Sequence, residues 1–517
     1  LLGIGFPDIL PLPFLLWVAW IPLLLIENEW RKRPDAPKRE LMGHVFHTVV
    51  VWNVVATYWV MNTSFPAGLV ANFANSGLML LPWLLYAITY RRMPKLGYAA
   101  LIAYWFTFEY IHLQWEMTWP WLTLGNGFAE YPSLVQWYSF TGVFGGGLWI
   151  WLLNIMFLRV WQAREAIQLT TKIWLQPALL ALLPMLVSLI MYYNYEESGE
   201  QIDVVVVQPN YEPHYLKFTV PDAEQIKQFV DLSTPLLDEK VDYLLFPETS
   251  YGFVKEKEVR KNANTRRLTN AFAKYPQLQL ITGVNAYYDF AEGEPLSPNV
   301  RQRESGGRTI NYEVMNMAIQ LPMNPEEEAQ TYRKSKLVPG PEIFPFKKIL
   351  FFMEPLIDAL DGTTAGLGTQ EKRSSLTSKT ANIAPVICYE SVFGEYFNGY
   401  IRDGNAQAAF IMTNDGWWDN TAGHRQHLYY ASLRAIETRR SIARSANTGI
   451  SAFLNQRGDI LQATNYEEAT AIRGKMTLND EQTFYVKWGD IIARIALFIS
   501  ILFFLNAFVK GRIEKSK

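Results

Sequence analysis

A chain of 517 residues with one cysteine cannot form an internal disulfide, and it cannot build a metal site from several thiolates. The usual structural reasons for a cysteine are missing, so Cys388 is either buried filler or chemistry. Excess charge is missing too. The chain has 47 Lys and Arg against 49 Asp and Glu, a net charge of -2, and no basic domain stands out to suggest nucleic acid as a partner. No internal repeat or low-complexity linker divides the chain. It opens on Leu1, directly in an apolar stretch, so residues are expected ahead of it and the first span is expected to be truncated.

Apolar and aromatic residues, by contrast, are abundant, at 50% and 15% of the chain, more than one soluble core accounts for. Windows of about 20 residues, enough for a bilayer core, occur near 8–27, 43–62, 69–90, 97–118, 137–160, 172–193 and 489–509. Seven spans are expected. Lys and Arg are enriched in cytoplasmic loops, and here they follow the first span (Arg31, Lys32, Arg33, Lys38, Arg39) and the third (Arg91, Arg92, Lys95), and separate the fifth from the sixth (Arg159, Arg164, Lys172). The loops at 62–68 and 118–136 have neither. Counting crossings gives a helical membrane domain over 1–194, an outer domain over 195–487, and a final span with a basic cytoplasmic tail over 488–517.

Within the outer domain, short apolar runs at 203–207, 243–246, 279–284, 383–387 and 408–412 read as buried strands. Amphipathic stretches at 222–237, 260–273 and 424–438 read as helices between them, so the domain is α/β. The segment 288–309, with Glu, Gly, Pro and Ser, reads as an exposed loop.

Three polar residues directly follow such runs or lie in short motif-like segments. They are Glu248 in Phe246-Pro247-Glu248-Thr249, Lys334 in Tyr332-Arg333-Lys334, and Cys388 in Ile387-Cys388-Tyr389-Glu390. Strand ends are where α/β proteins build sites. A thiol with an ordinary pKa of about 8.5 needs a base or a nearby positive charge to attack at neutral pH. A carboxylate and a lysine supply both. Singly, each residue is as readily a cap, a surface charge or core.

Taken in order, these segments resemble the apolipoprotein N-acyltransferases, in which a multi-span membrane domain is joined to a nitrilase-type (carbon-nitrogen hydrolase) domain. The resemblance covers nearly the whole chain. It rests on Gln208-Pro209-Asn210, Phe246-Pro247-Glu248-Thr249-Ser250, the segment Tyr332-Arg333-Lys334-Ser335-Lys336-Leu337-Val338-Pro339 with Glu342, and Ile387-Cys388-Tyr389-Glu390-Ser391-Val392-Phe393. Asn414-Asp415-Gly416-Trp417-Trp418, Gln426-His427-Leu428, Arg434-Ala435-Ile436-Glu437 and Ala446-Asn447-Thr448-Gly449 follow in the family's order. In the membrane half, Glu109, Trp119-Pro120-Trp121, Gly125, Gln136, Gly142 and Asn154 are similar to the family signature. Departures from the pattern are Gly340-Pro341 before Glu342, Phe246 where Trp is common and Gly416 where Ala is common.

The resemblance implies an α-β-β-α sandwich beside the helical membrane domain, in a bacterial inner membrane, with the catalytic domain on the periplasmic side. It implies Glu248 as general base, Cys388 as the nucleophile that carries a thioester, and Lys334 as stabiliser of the oxyanion. The donor would be a phospholipid and the acceptor a diacylglyceryl-modified apolipoprotein, with no cofactor and no metal. Glu342 is expected to orient Lys334, with Glu390 as a further carboxylate near the base. Tyr389, Trp417, Trp418 and Asn414 are expected to support or line the site. His427 reads as structural. The apolar segment 343–357, with Phe344, Phe346, Ile349, Phe351, Phe352 and Met353, is expected to form a membrane-dipping arm or lid.

Overall fold

Four consecutive valines, Val204, Val205, Val206 and Val207, form the centre of the first strand of the α/β domain. β-branched side chains suit a strand buried on both faces. The computed structural model of the chain describes residues 1–165, 170–353 and 365–516, and it separates into two units: Leu1–Tyr195 with Trp488–Lys517, and Glu196–Lys487.

The second unit contains two sheets. The first is built from β1 (Gln201–Gln208), β2 (Tyr243–Leu245), β3 (Tyr251–Lys255), β4 (Gln279–Asp289), β5 (Arg301–Ser305), β6 (Arg308–Pro322) and β7 (Gln330–Arg333). The second holds β8 (Leu376–Thr377), β9 (Asn382–Ile387), β10 (Ala408–Thr413), β11 (Ile442–Ala446), β12 (Ala452–Leu454) and β13 (Ile460–Ala463). The last strand, β14 (Thr470–Thr477), returns to the first sheet and pairs antiparallel with β1. At the centres the strands run parallel, β1 with β2 and β2 with β4, and β9 with β10 and β10 with β11.

The period of two along β1 fixes the layers. Val204 and Val206 share a core with Ile383, Val386 and Phe410 of the facing sheet. Val205 and Val207 point the other way, into a core with Ile226 and Phe229 of the helix Asp222–Ser233. On the far side of the second sheet, Leu428, Ala431 and Ala435 of the helix Ala422–Thr438 and Phe397 of the helix Gly394–Arg402 close the same central core. The result is a helix, sheet, sheet, helix sandwich. The expected loop at 288–309 is partly a hairpin. β5 and β6 pair with Ser305 opposite Arg308, joined by Gly306 and Gly307, both at positive φ. A two-residue turn of that hand demands such backbone, and Gly-Gly provides it.

In the first unit, helices of span length and hydropathy cover Phe65–Tyr90, Tyr138–Glu165, Thr171–Asn194 and Ile491–Glu514. The expected windows near 43–62 and 97–118 are the helices Lys38–Thr57 and Gly97–Gln114, whose polar residues (His44, His47 and Asn53; Glu109 and His112) dilute their hydropathy. The first expected span differs. Its residues form a short 3-10 turn, Pro13–Trp17, and a helix Ile21–Arg31 of 11 residues, about 16 Å long. Pro7, Pro11, Pro13 and Pro22 account for this, because each removes a backbone donor and is favoured at a helix start, where Pro13 and Pro22 stand. Trp20, Trp52, Trp83, Trp105 and Trp151 pack ring against ring at the centre of this unit, Trp20 stacked on Trp151 at 4.9 Å. The helices Thr171–Asn194 and Ile491–Ser516 leave Leu179, Leu182, Leu183, Phe498, Leu502 and Leu505 exposed, as a lipid-facing surface does.

Candidate active site

Glu248, Lys334 and Cys388 sit at or just beyond the ends of β2, β7 and β9. After β2 the chain stays against β4. The Gly283 amide donates to Pro247 O at 3.0 Å, and the Ser250 amide donates to Gly283 O at 2.8 Å. This contact requires glycine. A Cβ on Gly283 would meet the Glu248 Cα at 2.6 Å, the Thr249 N at 2.9 Å and the Pro247 O at 3.0 Å, all of them backbone. Gly283→Ala is therefore expected to displace Glu248 and slow the enzyme about 100-fold. A turnover rate within twofold of the parent would show that the loop absorbs the methyl group.

Around Glu248 the polar contacts converge on one oxygen. Lys334 Nζ donates to Glu248 Oε1 at 3.1 Å, and Asn316 Nδ2 donates to the same atom at 2.7 Å. Lys334 also donates to Glu342 Oε1 at 2.8 Å, while the Val338 amide donates to Glu342 Oε2 at 2.8 Å. Glu342 thus orients Lys334. Burial works against the Lys334 charge, but Glu248 and Glu342 outweigh it and hold the ammonium well above the usual lysine range.

Cys388 is buried and takes a left-handed backbone, φ 48°. Burial pushes its thiol up, the charge of Glu248 pushes it further, and Lys334 pulls it down. The resting group is the thiol, so a thiolate would form there only by transfer of its proton to a base.

Two buried networks fix the Cys388 turn. Glu390 was expected near the base, yet its carboxylate faces elsewhere. Oε2 accepts from the Ile387 amide at 2.9 Å and the Tyr400 hydroxyl at 2.8 Å, and Oε1 accepts from the Ser335 amide at 2.8 Å and the Tyr332 and Tyr396 hydroxyls at 3.0 and 2.8 Å. It ties the cysteine segment to the lysine segment. On the other side His427, fully buried, lies 2.9 Å from Asp415 Oδ1, 2.8 Å from Ser391 Oγ and 3.2 Å from Cys388 O. Asp415 also pairs with Arg444. Burial opposes the Asp415 charge, but Arg444 and His427 hold its carboxyl well below the usual range.

The expected lining residues divide. Trp417 packs on His214 and Phe218, at 5.2 and 6.3 Å between ring centres, and Trp418 packs on His427 at 5.6 Å. Tyr389 packs on Phe393 at 4.9 Å. Asn414 is buried and accepts from Asn447 Nδ2 at 3.1 Å, so its side chain braces a loop. Phe344 is buried, Phe346 is half-buried at φ 50°, and Ile349, Phe351 and Phe352 are exposed. Residues 354–357 of the expected arm lie outside the described residues.

Sequence reasoning missed Asn316 and Lys217. Asn316 had a signal, an amide flanked by Met315 and Met317 in the apolar part of β6. Lys217 had none, since it lies in an irregular segment. Its Nζ donates to the main-chain O of Glu248 at 2.9 Å. Among the described residues, no group of three or more His, Cys, Asp or Glu side chains could hold a metal ion.

Comparison with known proteins matches residues 203–484 to the carbon-nitrogen hydrolase family, and residues 1–156 to the apolipoprotein N-acyltransferase N-terminal domain. The apolipoprotein N-acyltransferase of Chlorobaculum tepidum is 27% identical, over 99% of this chain and 95% of its own. That of Geobacter metallireducens is 26% identical, over 95% and 90%. That of Azotobacter vinelandii is 27% identical, over 94% and 91%.

Proposed function

Because the chain belongs to the carbon-nitrogen hydrolase family and carries an apolipoprotein N-acyltransferase N-terminal domain, we propose that it completes lipoprotein maturation by transferring a fatty acyl chain from a phospholipid to the α-amino group of a diacylglyceryl-modified N-terminal cysteine. The observation that carries this reading is the buried cluster in which Lys334 bridges Glu248 and Glu342 next to the only thiol, on a chain that also has helices of bilayer length.

The proposed reaction runs in two halves. Glu248 takes the Cys388 proton as sulfur attacks the ester carbonyl. Lys334 and the backbone N–H after Cys388 stabilise the oxyanion. The intermediate collapses to a thioester, and the lysophospholipid alkoxide leaves with the proton held by Glu248. In the second half the acceptor amine attacks the thioester, Glu248 accepts the amine proton, and the C–S bond breaks. The thiolate recovers the proton, and the product is an amide.

Both substrates carry acyl chains that are costly to withdraw from a bilayer. A catalytic domain on the outer side of the cytoplasmic membrane, with the C-terminus cytoplasmic, agrees with the distribution of Lys and Arg in the short loops. Exposed Ile349, Phe351 and Phe352 support a lipid-contacting arm.

The test uses purified protein in detergent with a phospholipid bearing a labelled acyl chain. A hydroxylamine-sensitive adduct on the protein is expected, discharged as an amide when a diacylglyceryl-modified peptide with a free N-terminal amine is added. Discharge to free fatty acid alone would instead indicate a membrane-tethered hydrolase. No adduct with any phospholipid would refute the reading.

A further inference from the structure

Lys217 lies in the irregular segment between β1 and the helix Asp222–Ser233. Its neighbours Tyr215, Leu216 and Phe218 point outward and are exposed, whereas Lys217 is 4% exposed. The segment is built to hold it there. The Lys217 amide donates to Glu212 O at 2.9 Å, Gln225 Nε2 donates to Lys217 O at 2.8 Å, and the Glu212 carboxylate accepts the amides of His214 and Tyr215.

Burying an ammonium is costly unless it is paired. Among the described residues Lys217 has no ion pair, and its Nζ makes one hydrogen bond, to Glu248 O. Lys334 has two carboxylates as direct partners. The Lys217 charge therefore remains available when negative charge moves from Glu248 to sulfur and on to the carbonyl oxygen.

We propose that Lys217 is a positioning residue of the acyl transfer, fixing the Glu248 main chain through its hydrogen bond and holding the second positive charge against which the Cys388 thiolate forms. This inference rests on the acyl-transfer reading above. The groups that act on Lys217 are Glu248 and Cys388. Lys334 lies beyond the Glu248 carboxylate, and on its own segment Glu212 is committed to amides and His214 to Trp417. Burial brings the ammonium down to about 8 against the pull of Glu248 and Cys388. Its charge is thus present below that pH and lost above it.

The experiment is single-turnover thioester formation from a labelled phospholipid in detergent, from pH 6 to 10, for the parent, Lys217→Met and Lys217→Arg. The parent rate is expected to fall on the alkaline side with a midpoint near pH 8. Lys217→Met should be about 100-fold slower at pH 7, the scale of a displaced catalytic group, with no such fall. Lys217→Arg stays charged throughout and should carry the fall beyond pH 10. A Lys217→Met profile with the parent's shape and rate, or a parent profile with no fall between pH 7 and 9, would overturn the proposal. If Lys217→Met does not fold, the parent and arginine profiles still decide. A parent that forms no thioester at any pH defeats the acyl-transfer reading itself, whereas a thioester whose formation ignores residue 217 defeats this inference alone.

Discussion

Cys388→Ala is expected to lower acyl transfer by on the order of a millionfold, the scale of removing a covalent nucleophile, and to leave no labelled adduct on the protein. The neighbouring hydroxyls are committed elsewhere, Thr413 Oγ1 donating to Asp415 Oδ1 at 2.6 Å. Ser391 is a nearby hydroxyl with a histidine and a carboxylate behind it, but it is buried and its hydroxyl donates to Cys388 O at 2.8 Å. The Ser391, His427 and Asp415 array has the contacts of a hydrolytic triad and works as a brace. Cys388→Ser should be nearly as inactive, because a hydroxyl is harder to deprotonate than a thiol and the same burial opposes its anion. Both variants should fold, since sulfur to hydrogen or oxygen is a small change at a site held from both sides. Wild-type amide formation by either variant would show that the acyl group never resides on Cys388.

Glu248→Gln tests the base and is expected to cost up to about 10⁴-fold in both half-reactions. The shape hardly changes, and the side-chain oxygen can still accept from Asn316 and Lys334. What disappears is the ability to take a proton, first from a thiol that burial holds in its neutral form and then from the acceptor amine. Lys334 keeps Glu342 as a partner, so its charge and the fold should survive. Rapid-quench measurement of thioester formation and of thioester discharge separates the two steps. A variant impaired in only one of them would assign a different base to the other.

Glu248 and Cys388 were legible because each follows a short apolar run, the pattern that places side chains at sheet ends, whereas Lys334 follows a polar stretch and was picked out by the resemblance. The buried strands were legible for the same reason, while their layering came only with the resemblance. Val204 to Val207 can only be a strand covered on both faces. The first span was not, because window hydropathy ignores where prolines stop a helix, and Pro13 and Pro22 divide it. Nor was the hairpin at β5 and β6, where β5 and the first residues of β6 are polar and at most half-buried and whose only cue is Gly306-Gly307. Glu390 shows a deeper limit. A carboxylate two residues from the thiol reads as part of its chemistry, and only the convergence of Tyr332, Tyr396 and Tyr400 from distant segments reveals it as a tie. Lys217 reaches Glu248 across 31 residues with no periodicity to announce it.

The packed indoles of the helical unit have an optical consequence. Of the 18 tryptophans, all but Trp417 and Trp418 belong to that unit. Intrinsic emission therefore reports the helical bundle almost alone, and contact between Trp20, Trp52, Trp83, Trp105 and Trp151 lets excitation pass among them. A melting curve followed by this light is blind to most of the catalytic sandwich, so the integrity of variants at Cys388, Glu248 or Lys217 has to be read from far-ultraviolet dichroism. Subtracting the emission of a variant with Trp417 and Trp418 replaced leaves those two rings as a local probe, Trp417 beside the segment that carries Lys217.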